Sequence, residues 1–364
     1  MRPSFFVMPV VLAVAAVPVL AAPASAGRHA QPVCGTTLTR DTVLTRDLTC
    51  SGDGLTLGEG VDLDLRGHTL RGPGSGTALR VTIDGSNRIR GGTVTGWDTG
   101  VGLLPEDFDD PDASGPLAVE RMAFRDNRYG VDASGLLVEG GSKPTTVTRS
   151  SFTGNRAGVV SAWFSRVTVD RSRFTGNWTG VWSESDLTVG RSSFVRNTTA
   201  VRVYEGGVQV SRSTFRDNPE SVTVAGVGYA GISRSRFVGG DVTLTAGALG
   251  TVDVRDSVVV GSGTGMLVDE GSGVVERSTF RGNDIGLRHV GSDWGATTVR
   301  ASLFHRNGDG ILSESGGPEL ELGDNSVRRN TRWGIHAPGA VDLGGNRASG
   351  NGNDPQCVGV VCEP

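Results

Sequence analysis

The sequence predicts an all-β solenoid of about 13 coils, each built from three short strands. One observation is a recurring motif, Ser-x-Phe-x-x-Asn-x-x-Gly-Val, seen whole in SRFTGNWTGV at 172–181. A second is its spacing: landmarks at Leu70, Val94, Phe124, Phe152, Phe174, Phe194, Phe215, Phe237, Val259, Phe280, Phe304, Val327 and Ala348 are separated by 20–30 residues. The third is that no segment keeps helical spacing for three turns. A period of this size marks a stack in which one repeat cannot bury its own apolar face and its neighbours cover it. The expected organisation is therefore one long domain over 27–364.

The first strand of each repeat carries an apolar residue five positions before the landmark, as in Val119, Val147, Val169, Val189, Val210, Ile232, Val254, Val275 and Val299. The landmark itself marks the second strand. The third follows the Asn turn, with Val131, Val159, Val181, Val201, Val222, Val242, Met266, Leu287, Ile311 and Ile335 as its inward residues. Gly, Ser, Asn and Asp separate the runs, as turns require. Fifty-six glycines with only 20% charged residues suit such a turn-rich chain. The landmark phenylalanines are expected to stack along the axis about 4.8 Å apart. The recurring Asn, from Asn127 and Asn155 to Asn330 and Asn351, is expected to form an amide ladder at the turn. His68 falls in the column otherwise held by Ser150, Ser172, Ser192 and Ser213 and is read as scaffold.

The Leu-x-x-Leu-x-Leu pattern of leucine-rich repeats and the Gly-Gly-x-Gly-x-Asp calcium nonapeptide are both absent. The motif, with VDLDLRGHTLRG at 61–72 as an opening coil, resembles the secreted right-handed parallel β-helix proteins, the superfold of pectate lyases, over residues 34–351. The resemblance implies right-handed winding and a substrate groove floored by the sheet that follows the Asn turn. It does not imply one activity, because this scaffold hosts many.

The chain opens with Arg2, an apolar stretch over 5–20 and Ala24-Ser25-Ala26, the pattern of a secretory signal peptide cut after Ala26. The apolar run is shorter than the roughly 20 residues that span a bilayer. Export is expected, with no membrane span and a monomeric state. Removing 1–26 deletes one charge, Arg2, and takes the formal net charge from −4 to −5, which argues against a nucleic-acid partner. Four cysteines in an oxidising compartment predict two local disulfides, Cys34 with Cys50 and Cys357 with Cys362. Metal binding by these thiols is disfavoured, because neither pair has Cys-x-x-Cys spacing.

If the repeat builds the scaffold, chemistry belongs to positions that vary between coils. Alternation along the third strand turns outward Asp132 and Ser134, Val160 and Ala162, Trp182 and Glu184, Arg202 and Tyr204, Thr243 and Thr245, Leu267 and Asp269, Arg288, Leu312 and Glu314, and His336. Trp182, Glu184, Arg202 and Tyr204 then share two adjacent coils, with Trp163 one coil below and Glu205 at the strand's end. Aromatic faces, a guanidinium and carboxylates are a sugar-site composition. In the enzymatic reading Arg202 neutralises a substrate carboxylate while Glu184 or Glu205 moves protons; Trp163, Trp182, Tyr204, Asp269, Arg288 and His336 bind. A solvated sheet face with Arg over Trp accounts for the same residues.

LLPEDFDDPDASGP at 103–116 is an insertion whose Asp107, Asp109, Asp110 and Asp112, with Glu106, could hold calcium through oxygen ligands, although its spacing is not an EF-hand loop. A merely solvated acidic loop is the plainer account. DASGLLVEGGSKPT at 132–145 is a second insertion, which would form the opposite lip of the groove. Arginines three positions before the landmark, from Arg121 to Arg277, would suit a linear polyanion, or be solvated turn residues paired with neighbours such as Asp170. The Asn-Thr-Asp and Gly-His-Gly sets of polygalacturonases and the Trp-x-Asp-His of pectate lyases are missing, so no catalytic residue carries over.

The sequence thus supports a secreted protein engaging polysaccharide, in one version a lyase, hydrolase or epimerase on an acidic glycan. The alternative is a non-catalytic cell-envelope or matrix protein that binds. An adhesin working by protein contact would want an apolar outer patch, and Val160, Leu267 and Leu312 are too scattered to make one.

Overall fold

In the computed structural model the described residues are 31–82, 85–103, 115–134, 143–162, 165–291 and 295–364. The signal-peptide expectation, Trp163 and the acidic stretch with Asp107, Asp109, Asp110 and Asp112 lie outside them. From Gln31 onward the chain forms one compact unit.

Every strand pairs in parallel with the strand three elements further along the chain, so the backbone winds into a solenoid with three faces. Among the described residues the first sheet has 15 strands and the second and third have 14 each. The landmark column lies in the third sheet, and its members pair residue for residue, as in Phe152 with Phe174 and Phe304 with Val327. The column begins one coil earlier than the motif indicates, because Leu48 pairs with Leu70. The valines five positions earlier pair along the second sheet, Val169 with Val189 for example.

Each inward residue of the first sheet lies seven positions after its landmark through most of the chain, because the intervening turn keeps its length. That count corrects one expected position. Leu244, not Val242, pairs with Met266, so Thr243 points inward, where it is fully buried and its hydroxyl lies 2.5 Å from Ser262 Oγ.

Six phenylalanines from Phe124 to Phe237 stack in sequence, with Phe174 and Phe194 at 4.6 Å and 4° between planes. Beside them runs the amide ladder. Asn177 Nδ2 donates to Asn197 Oδ1 at 2.9 Å, and Asn197 Nδ2 donates to Asn218 Oδ1 at 3.1 Å. Serines form a second ladder, in which the Ser172 amide donates to Ser192 Oγ at 3.1 Å and the Ser192 amide donates to Ser213 Oγ at 3.1 Å. The buried amides and hydroxyls of these two ladders thus find partners in the neighbouring coil. The motif glycine is explained by crowding: a Cβ on Gly158 would lie 2.6 Å from Gly180 O and 2.8 Å from the Phe174 ring.

The arginines before the landmark sit in left-handed turns, with φ of 47–51° at Arg121, Arg149, Arg171, Arg191, Arg212, Arg234 and Arg277. Asp170 accepts from Arg191 at 2.7 and 2.8 Å, and Arg277 pairs with Asp256 at 2.9 Å. The ends are closed by the Cys34–Cys50 and Cys357–Cys362 disulfides. His68 is half-buried and its Nδ1 lies 3.3 Å from Asp47 Oδ1, a contact within the opening coils.

One buried histidine makes the scaffold sensitive to pH. His289 is wholly enclosed on the inner side of the first sheet, with Nδ1 3.3 Å from Ser313 Oγ and Nε2 unpartnered among the described residues. Burial pushes its pKa below the ordinary 6.5, and the Glu319 carboxylate only partly opposes this. The unfolded chain therefore takes up a proton near the ordinary pKa that the folded chain refuses until lower pH, so stability falls as pH drops through this window. The melting temperature should decline more steeply from about pH 7 to about pH 5 in the wild type than in His289→Gln. Equal declines would remove His289 from the account.

Candidate functional site

The outer face of the first sheet carries an open groove of about 400 Å³. Its walls include Tyr129, Arg156, Trp178, Trp182, Glu184, Arg202 and Tyr204, drawn from four successive coils. With coils about 4.8 Å apart, the groove runs roughly 15 Å along the axis. Trp182 and Arg202 are register partners on adjacent strands. Glu184 and Tyr204 follow each of them by two residues, and alternation brings them to the same face. Their backbones are tied to the coil below, the Glu184 amide donating to Ser161 O at 2.7 Å and the Tyr204 amide to Ser183 O at 3.0 Å.

The other wall was not read from the sequence. Trp178 and Arg156 come directly after the ladder asparagines, and their amides donate to Asn155 O at 3.0 Å and Asn127 O at 3.1 Å in the preceding coils. Tyr129 sits one position further on, with the Arg128 guanidinium 5.0 Å from its ring centre. The signal was present: Arg128, Arg156 and Trp178 directly after Asn, and Tyr129 one position further, where Thr198 and Thr199 stand in a later coil. Trp178 is 66% exposed and Tyr204 51%, so their ring faces are open to a ligand.

Other expected site residues fall elsewhere. Glu205 is exposed in the turn after the strand and does not line the groove. Asp269, Arg288 and His336 stand on the same sheet further along the axis. Arg288 is in the Trp182–Arg202 column but separated from Arg202 by the coils of Thr223, Thr245 and Leu267, and His336 is two coils beyond it. Arg288 Nε donates to Glu314 Oε1 at 2.8 Å, and that bond, with the charge of Asp269, raises its pKa. His336 packs against Trp333 with ring centres 4.8 Å apart, and its Nδ1 is buried without a partner among the described residues. Val160 and Ala162 face outward by register yet are only 7% and 6% exposed. Among the described residues no group of three or more His, Cys, Asp or Glu could hold a metal ion.

The protein-family model for the right handed beta helix region matches residues 119–242 and 180–352. The chain belongs to the right-handed β-helix family. Solved structures with similar winding include the periplasmic alginate epimerase AlgG, with 11% identity over 84% of this β-helix and 77% of that chain and a TM-score of 0.44. Another is the A-module of the Azotobacter vinelandii mannuronan C-5 epimerase AlgE6, with 14% identity over 91% of each chain and a TM-score of 0.33. No curated protein matches this β-helix. No helix among the described residues is long and apolar enough to cross a membrane, and the two disulfides fit an oxidising, non-cytoplasmic compartment.

Proposed function

We propose that this β-helix, exported through the leader at 1–26, binds an acidic polysaccharide in the groove of its first sheet. The observation that carries the reading is the grouping of four aromatic rings, two arginines and one carboxylate around a single open groove. Aromatic faces take the apolar faces of sugar rings, and a few convergent polar groups then fix orientation. Arg156 and Arg202 outnumber Glu184, which favours an anionic polymer over a neutral one.

Glu184 is the one carboxylate lining the groove, whereas glycoside hydrolysis generally uses a pair flanking the scissile bond. That favours binding alone, or a single-base reaction such as a lyase or epimerase in which Arg202 neutralises the uronate and Glu184 moves the proton.

The test is retention on immobilised polygalacturonate. Trp182→Ala should weaken it by roughly fivefold to tenfold, and Arg202→Ala by a similar factor at low salt that shrinks as salt rises. Glu184→Gln should leave retention near wild type while removing any turnover. Unchanged retention in both the Trp182 and Arg202 variants would return the groove to a solvated face.

A further inference from the structure

We propose that the third sheet forms a second anion-binding face, separate from the groove, that takes a linear polysaccharide bearing a carboxylate or sulfate on each sugar. The strands of the third sheet carry no Asp or Glu. Their outward positions instead hold Arg71, Arg125, Arg173, Arg216, Arg236, Arg281, Arg328 and Arg347, all exposed.

On the other two sheets several arginines are ion-paired, although Arg166, Arg202 and Arg300 have no ion-pair partner among the described residues. On the second, Arg88 pairs with Glu120 at 3.2 Å and Arg90 with Asp64 at 3.1 Å. On the first, Arg80 pairs with Asp53 at 2.7 Å and Arg288 with Glu314 at 2.8 Å. On the third sheet Arg347 pairs with Glu363 at 3.5 Å near the chain's end, whereas Arg125, Arg173, Arg216, Arg236, Arg281 and Arg328 have no ion-pair partner among the described residues. Like charges held a few coils apart without counter-charges cost free energy that an anionic ligand would offset.

Two features give the face more than bulk charge. Arg173, Ser193, Thr214, Arg216 and Arg236 surround a depression of about 250 Å³, where hydroxyls and guanidinium groups converge. Arg281, His305 and Arg328 form a run on three successive coils. Burial first, then the charges of the nearby Arg328, Arg306, Arg281 and Arg329, hold the His305 pKa below its ordinary value. Outward positions of the strands include no Phe, Tyr or Trp, so the face lacks the stacking platforms that single-stranded nucleic acid uses. A charge every one or two coils, roughly 5–10 Å, suits a sugar chain with one acid per residue.

The proposal is tested with polygalacturonate as probe, against uncharged dextran and duplex DNA. The pairs Arg216→Gln with Arg236→Gln, and Arg281→Gln with Arg328→Gln, should each weaken polygalacturonate binding roughly fivefold to twentyfold at low salt and less at high salt. Because all four arginines are exposed, melting temperatures should stay at the wild-type value, and binding is read on folded protein. Loss in these pairs with none in Trp182→Ala and Arg202→Ala supports this face and removes the groove reading; the reverse pattern removes this face and keeps the groove. Wild-type protein that is not retained on polygalacturonate, or that binds duplex DNA more tightly, overturns the proposal.

Discussion

Phe194→Ala is expected to lower the stability of the folded chain by about 3–5 kcal/mol, the cost of deleting a fully buried aromatic in a core that cannot collapse around the cavity. The ring has no exposed surface and lies between Phe174 at 4.6 Å and Phe215 at 4.8 Å, both within 4° of parallel. Neither neighbour can move toward the gap, because each also stacks on the ring beyond it and the backbone on both sides is fixed by sheet pairing. Denaturant titration should show the midpoint falling with little change in slope. A silent truncation would mean that the column does not carry the fold.

An effect of the same order is expected from Asn197→Leu, which keeps volume and removes hydrogen bonding. Asn197 Oδ1 accepts from the Asn177 amide at 3.0 Å and from Asn177 Nδ2 at 2.9 Å; its own Nδ2 donates to Phe174 O at 3.1 Å and to Asn218 Oδ1 at 3.1 Å. Leucine strands several buried groups in two other coils, at about 1–3 kcal/mol for each group left unsatisfied, so a total of about 3–5 kcal/mol is expected. Asn197→Ser should recover part of this, since a serine hydroxyl at this position can still donate inward, as Ser262 Oγ does to Gly239 O at 3.3 Å. Denaturation midpoints equal to wild type for the leucine variant would show the ladder to be dispensable.

The coil scaffold was legible because it is written many times over in the same residues. An aromatic, an asparagine three positions later and an inward residue at the seventh position identify the face of each side chain without knowledge of the sheet. Where the pattern thinned, the reading slipped. Leu48 lacks both an aromatic and a following Asn, so its coil went unseen, and at Thr243 the missing Asn let an apolar Val242 pass for the inward residue. The groove was legible by half. Trp182 and Arg202 lie on regular strand, and Glu184 and Tyr204 directly follow its last residue and still obey alternation, whereas Trp178 and Arg156 stand in the turn and Tyr129 opens its strand, where period-two counting has no earlier residue to start from. Glu205 lies two residues past the strand's last residue, Val203, where the turn carries it away from the groove.

The phenylalanine and asparagine columns break at one place, while the serine ladder runs on through it. Val259 stands where a phenylalanine would continue the stack, pairing with Phe237 on one side and Phe280 on the other. In the turns nearby, Gly240 and Ser262 replace the ladder asparagines, so the amide chain that runs to Asn218 resumes only at Asn283. A linear array is cooperative only as far as neighbouring units are coupled. Between Phe237 and Phe280 the coils are therefore coupled by sheet pairing and by the serine ladder alone, the Ser235 amide donating to Ser257 Oγ at 3.1 Å and the Ser257 amide to Ser278 Oγ at 3.2 Å, so this is where the carboxy-terminal coils that hold His289 are least tightly joined to those that carry the groove.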